Sequence, residues 1–163
     1  MSSAPSPSWT QDLRQRLDEL LDTYRNSLRD SLYGLSEGEA RQNLVPSKTT
    51  LLGLVKHVTY VEGVWFDQVV TARTAKQIGI ASSPDRSFTL TKTDTISSIL
   101  AAHQRRCDLS RTTMSALALD DVVDGRGERT VWALYLQVLR ELAHHSGHAD
   151  ILREQILDRR RRG

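Results

Sequence analysis

A single cysteine, Cys107, is the only thiol in this chain, so no disulfide closes within it. That excludes a small disulfide-stapled scaffold and suits a reducing, cytoplasmic setting. Long apolar runs are missing as well. None approaches the roughly 20 residues a bilayer needs, and no membrane partner is expected. Four prolines and nine glycines in 163 residues exclude collagen-like and low-complexity chains. Nor is there an excess of one charge: 22 Lys plus Arg face 20 Asp plus Glu. The residual excess is local. Asp158 to Gly163 holds four arginines and one aspartate, a net +3 that leaves about −1 for the rest of the chain. A nucleic-acid binder places its basic residues on a folded face. Here they sit on a C-terminal tail, residues 159–163, and no nucleic-acid partner is expected. The Ser/Pro-rich stretch 1–8 lacks the charged and apolar regions of a signal peptide and reads as a loose tail.

What the chain has is helical periodicity over a length that suits one domain. Leu13, Leu17, Leu20, Leu21, Tyr24, Leu28 and Leu32 recur at spacings of three and four, which predicts a helix from about Trp9 to Leu32. Gly34 ends it, and Ser36 with Glu39 forms a candidate capping box for a short helical turn. A second helix is expected over about 47–71, with Leu51, Leu54, Val55, Val58, Val61, Val64, Trp65 and Val69 inward. A third, capped by Asp94, reaches about Leu117 and turns Ile96, Ile99, Leu100, His103, Cys107 and Met114 toward the interior. The fourth covers about 130–157 on a stripe of Leu134, Val138, Leu142, Ile151, Leu152 and Ile156. No convincing strand and no repeat is present. The fold class is all-α, an antiparallel four-helix bundle over residues 9–158. The connection across 72–92 is long enough for a crossover, so the topology need not be simple up-and-down.

Three of the five histidines, His144, His145 and His148, fall within five positions of the last helix. Glu141 and His145, four apart, share a face of that helix. His57 sits three after Leu54 and four before Val61, which points it inward. One inward histidine facing a Glu-x-x-x-His column makes a three-ligand site with a coordination position to spare, the arrangement of catalytic rather than structural metal sites. Zinc is the first choice for such a donor set, with nickel and iron as the other candidates. The plainer alternatives are a hydrogen-bonded core histidine at 57 and a solvated histidine cluster on the last helix. His144 with His148 has the same spacing, so the register of the ligand pair stays open. Trp9, Trp65 and Trp132 read most simply as core or helix-interface residues. Trp65 and Phe66 are also candidates for a pocket mouth.

The stretches 47–58 (SKTTLLGLVKHV) and 61–66 (VEGVWF) resemble the metal-binding second helix of the DinB-like superfamily. His145-Ser146-Gly147-His148-Ala149-Asp150-Ile151-Leu152-Arg153-Glu154 resembles the signature of one branch, the low-molecular-weight-thiol (mycothiol-type) S-transferases, related to the mycothiol-dependent maleylpyruvate isomerases. The similarity covers about residues 17–158. It implies a DinB-like four-helix bundle holding a divalent metal on three ligands. By position these are His57, Glu141 and His145, with His148 either a fourth ligand or a group just behind the ligands. Relatives in this branch commonly carry Arg at the position of His144, and often His and an acidic residue at those of Gln137 and Arg140. These departures leave the ligands intact and bear on substrate positioning.

The reaction this resemblance implies is that of a metal-dependent transferase. It would activate a small, mycothiol-like cellular thiol as a metal-bound thiolate for attack on an electrophilic small molecule. His148 and His144 are the candidate catalytic groups, orienting a ligand or carrying a proton. Cys107 is expected in the core, because the reacting thiol comes from the cosubstrate. The alternatives are a thiol-assisted isomerase or a metal-water hydrolase on the same scaffold, or a non-catalytic metal-binding DinB-like stress protein. A homodimer is the expected assembly if superfamily habits hold.

Overall fold

The computed structural model describes residues 8–163, with side chains from residue 12 onward. The tail assigned to residues 1–8 lies outside them except for Ser8, as does the side chain of Trp9. Four helical elements carry the fold. They are α1 (Ser8–Asp30), α3 (Leu51–Gly63), α7 (Ile96–Ser115) and α8 (Val131–Arg162). Between them lie α2 (Glu37–Ala40), α4 (Val69–Thr71), α5 (Ala75–Ile78), α6 (Pro84–Ser87) and two-residue strands β1 (Val122–Val123) and β2 (Arg129–Thr130). These strands form a small antiparallel ladder that the sequence did not signal.

Side-chain partners fix the topology. Asp18, Ser27 and Ser31 of the first helical arm meet Tyr135, Ser146 and Arg153 in turn, so α1 and α8 run parallel. Lys56 meets Asp94 and Glu62 meets Cys107, so α3 and α7 run parallel too. His57 faces His145 while Phe66 faces Tyr135, which sets α3 against α8 head to tail. The bundle is therefore up-down-down-up, and the segment between α4 and α7 is the crossover that returns the chain along its length. Only some neighbouring helices are antiparallel, the expected exception to a simple bundle.

Local chemistry explains the boundaries. Ser36 and Glu39 form the anticipated capping box. Thr50 caps α3 by accepting from the Gly53 amide, which starts that helix at Leu51 rather than near residue 47. Thr95, not Asp94, caps α7, reciprocally with Ser98. Asp94 is drawn off to Lys56 and to the Thr91 amide. Past Gly63 the helix widens into a π-turn, Val64–Gln68. Such a turn inserts one residue into the helical ladder. It buries Phe66 in the core and leaves Trp65 half-buried under Arg126 and Arg129.

The apolar core draws Leu21 and Leu28 from α1, Leu54 and Val58 from α3, and Leu134, Val138 and Leu142 from α8. Each such side chain contributes about 1.5–3 kcal/mol by leaving water. On α8, Ala149 and Leu152 take the inward positions, and Ile151, assigned inward from the sequence, is 57% exposed. Trp132 is half-exposed, not core. The arginines of the supposed terminal tail continue α8 through Arg162, where Arg160 pairs with Glu39 and donates to the Gly34 carbonyl. Arg153 donates to Ser31 and Tyr33 carbonyls, so α8 arginines satisfy the free carbonyls at the end of α1. No described helix is long and apolar enough to cross a membrane.

Candidate metal centre

Where α3 crosses α8, His57, Glu141 and His145 come together, each offering a donor atom within 4.8 Å of the others'. His57 is buried, held between a Phe88 ring stacked on it at 3.9 Å and the edge of His145 at 4.8 Å. Burial pushes its ring down to about 4, with repulsion from His145 adding to the effect. His145 is also depressed, by burial first and by His148 and His144 next, against the opposing pull of Glu141. Both rings are thus neutral at neutral pH, the form that binds a cation.

Glu141 is oriented from behind. Gln137 Nε2 donates to its Oε1 at 3.2 Å, and Arg140 lies 3.4 Å from the same oxygen. The other oxygen, Oε2, lies 3.6 Å from His145 Nε2. Gln137 and Arg140 thus both serve the carboxylate. On the opposite wall, His57 Nδ1 lies 2.7 Å from Ser87 Oγ. Nothing in the sequence singled out Ser87. It lies in the crossover, where no periodicity or motif marks a residue, and only the length of the connection hinted at a role.

The residues suit a divalent cation: two neutral imidazoles, one carboxylate, and a buried His145 Nδ1 with no hydrogen-bond partner. A buried polar atom without a partner is costly, and a bound cation is one way to satisfy it. His144 and His148 stand 4.4 Å apart and exposed on the outer flank, and no third donor joins them among the described residues. His148 lines a cleft of about 250 Å³ with Val45, Ser47, Thr49, Ile151 and Leu152. A second cleft, of about 240 Å³, opens between α3, the crossover and α7 and is lined by Lys56, Tyr60, Ile80 and Ser87, but not by Glu141 or His145.

Glu62, His103 and Cys107 form another cluster of donors, all buried. Its chemistry does not suit a cation. Arg25 Nε and a terminal nitrogen hold both oxygens of Glu62 at 2.7 and 2.9 Å, so the carboxylate is already neutralised. Burial, and then Glu62, pushes the Cys107 thiol up to about 12. The cluster is a polar staple joining α1, α3 and α7, and Cys107 is core, as expected.

Compared with family models, the chain matches the one described as mycothiol-S-transferase over residues 16–158. The chain belongs to the mycothiol-S-transferase family. The match spans most of the bundle and includes His57, Glu141 and His145. No curated protein matched the sequence. Membership of this family implies mycothiol S-transferase activity, and the chain carries a candidate metal site at His57, Glu141 and His145.

Proposed function

We propose that the chain is a metal-dependent transferase that joins a mycothiol-like thiol to an electrophilic carbon, with His57, Glu141 and His145 holding the cation. The observation that carries this reading is the convergence of those three donors from α3 and α8, inside a chain of this family. A bound zinc, nickel or iron ion would supply Lewis acidity that keeps a coordinated thiol ionised at neutral pH, against a free pKa of about 8.5. The protein's own residues do the rest. Gln137 and Arg140 pin one oxygen of Glu141 and leave the other for the site. His148, whose ring lies 5.5 Å from that of His145, receives the thiol proton, with His144 beside it as the alternative carrier. The cleft along α8 from His148 takes the apolar body of the electrophile against Val45, Ile151 and Leu152. The sulfur–carbon bond forms as the carbon–leaving-group bond breaks, with its electron pair and the proton going to the leaving group; on a conjugated double bond the π bond breaks instead and the neighbouring carbon takes the proton. We place this reaction in the cytoplasm, in a protein that pairs with a second copy.

Elemental analysis beside His57→Ala and Glu141→Gln tests the ligand set. The expected result is about one transition metal per chain, lost in both variants. Retention in Glu141→Gln with loss on changing His144 or His148 would move the register. Conjugation of monobromobimane to mycothiol, read as the rate above the uncatalysed reaction and lost in His57→Ala, tests the reaction. Hydrolysis of an ester without thiol would favour the hydrolase, and metal binding without turnover the stress protein. Ile151→Glu, at the exposed wall of the cleft, should raise KM for an apolar electrophile about tenfold with little change in metal content.

A further inference from the structure

We infer that Ser87 fixes which nitrogen of His57 carries the proton, and so acts as a positioning residue for the cation site. The inference rests on the metal reading above for its consequence, but not for its geometry. Ser87 ends α6, a single turn that Ser83 caps through the Arg86 amide and that begins with Pro84. That turn is held down on α3 at several points. Lys56 Nζ donates to the Thr89 carbonyl at 2.9 Å and pairs with Asp94 at 2.8 Å. Gly53 lets the Phe88 carbonyl approach so closely that a Cβ there would lie 2.7 Å from it. Phe88 lies flat on the His57 ring, 12° from parallel. The ring plane is set by packing, and the Ser87 hydroxyl, itself 1% exposed, meets its edge.

A serine hydroxyl has one proton to give. Ser87 Oγ also contacts the Pro84 carbonyl, which can only accept. The hydroxyl proton therefore goes to Pro84, and Oγ must accept from His57 Nδ1–H across 2.7 Å. A neutral imidazole protonated at Nδ1 keeps its lone pair at Nε2. His57 thus has its ligand nitrogen chosen before any cation arrives. The relay Pro84–Ser87–His57 is the counterpart, built from a loop, of the carbonyl and carboxylate groups that orient metal-binding histidines elsewhere. It also gives the crossover a purpose beyond returning the chain.

The test compares wild type with Ser87→Ala and Ser87→Thr, the second keeping a hydroxyl. Two-bond ¹⁵N–¹H correlation spectra of the metal-free protein should show His57 protonated at Nδ1 in wild type and Ser87→Thr, and at Nε2 or mixed in Ser87→Ala. Zinc affinity, read by competition with a chromophoric chelator, should fall about 10- to 100-fold in Ser87→Ala and recover in Ser87→Thr. Circular dichroism checks that each variant is folded, and if Thr crowds the turn, the tautomer and zinc affinity of Ser87→Ala carry the test. An Nε2–H tautomer in the wild type, or unchanged tautomer and affinity in folded Ser87→Ala, would overturn the inference. Wild type that binds no zinc would overturn the metal reading and the positioning role with it. The spectra would still report independently whether Ser87 sets the tautomer.

Discussion

Glu62 and Arg25 show what a buried charge demands of its partner. Glu62 is fully buried and Arg25 is 3% exposed, and two bonds of 2.7 and 2.9 Å join them. Removing Glu62 leaves the buried Arg25 with only the half-exposed Asp22, 2.9 Å from its other terminal nitrogen, as a charged partner among the described residues. Glu62→Gln should therefore cost about 3–5 kcal/mol in urea unfolding. The double change Glu62→Gln with Arg25→Met should recover much of that loss, because no bare charge remains. A double variant no better than the single one would mean the staple acts through packing rather than charge. Cys107 beside them is protonated and closed to solvent, so a thiol reagent should label no cysteine in the native protein and one after unfolding. Labelling of the folded protein would reopen Cys107 as a participant in the chemistry.

At the scale of elements, the two ligand-bearing helices treat glycine in opposite ways. Gly53 of α3 faces the Phe88 carbonyl, a backbone atom that cannot swing aside. Gly53→Ala must push the crossover off α3, at a cost of about 1–3 kcal/mol. It should also weaken zinc binding, since Ser87 and Phe88 move with that segment. Gly147 of α8 has nothing within 4 Å of where a Cβ would sit. Gly147→Ala should stabilise the protein by about 0.5–1 kcal/mol through helix propensity, with zinc affinity unchanged. Thermal denaturation and chelator competition on the two variants separate these effects. The contrast also marks what the sequence could convey. His57, Glu141 and His145 were legible because helical spacing places side chains on faces, and spacing is written in the chain. Ser87 and Phe88 were not, because their position depends on how a loop docks, and docking has no period. The same limit hid the π-turn that buries Phe66 and the outward turn of Ile151. Periodicity there fits a straight, fully packed helix better than the one that forms.

For the whole molecule, the neutral buried histidines couple stability to pH. His103 is fully buried, and burial pushes it down to about 4 despite the pull of Glu62, while His57 sits at a similar value. In the unfolded chain both titrate near 6.5. Below that pH the unfolded state takes up protons the folded state refuses, so unfolding becomes easier as pH falls. Their contribution is complete above about pH 6.5 and is lost as pH drops to about 4, at most about 3 kcal/mol for each ring. The depressed carboxylates of Asp22, Glu62, Asp67 and Asp94 act at lower pH, where their ion pairs begin to protonate. Urea unfolding of the metal-free protein should therefore show stability that is level near neutrality, falls from about pH 6.5, and steepens below about pH 4. His103→Gln removes one titrating ring from the staple and should flatten the drop between pH 6.5 and 4.5, whatever it does to stability at neutral pH. An unchanged slope would mean that His103 is protonated in the folded protein, balanced by Glu62. The staple would then be a triad of charges rather than one ion pair beside a neutral ring.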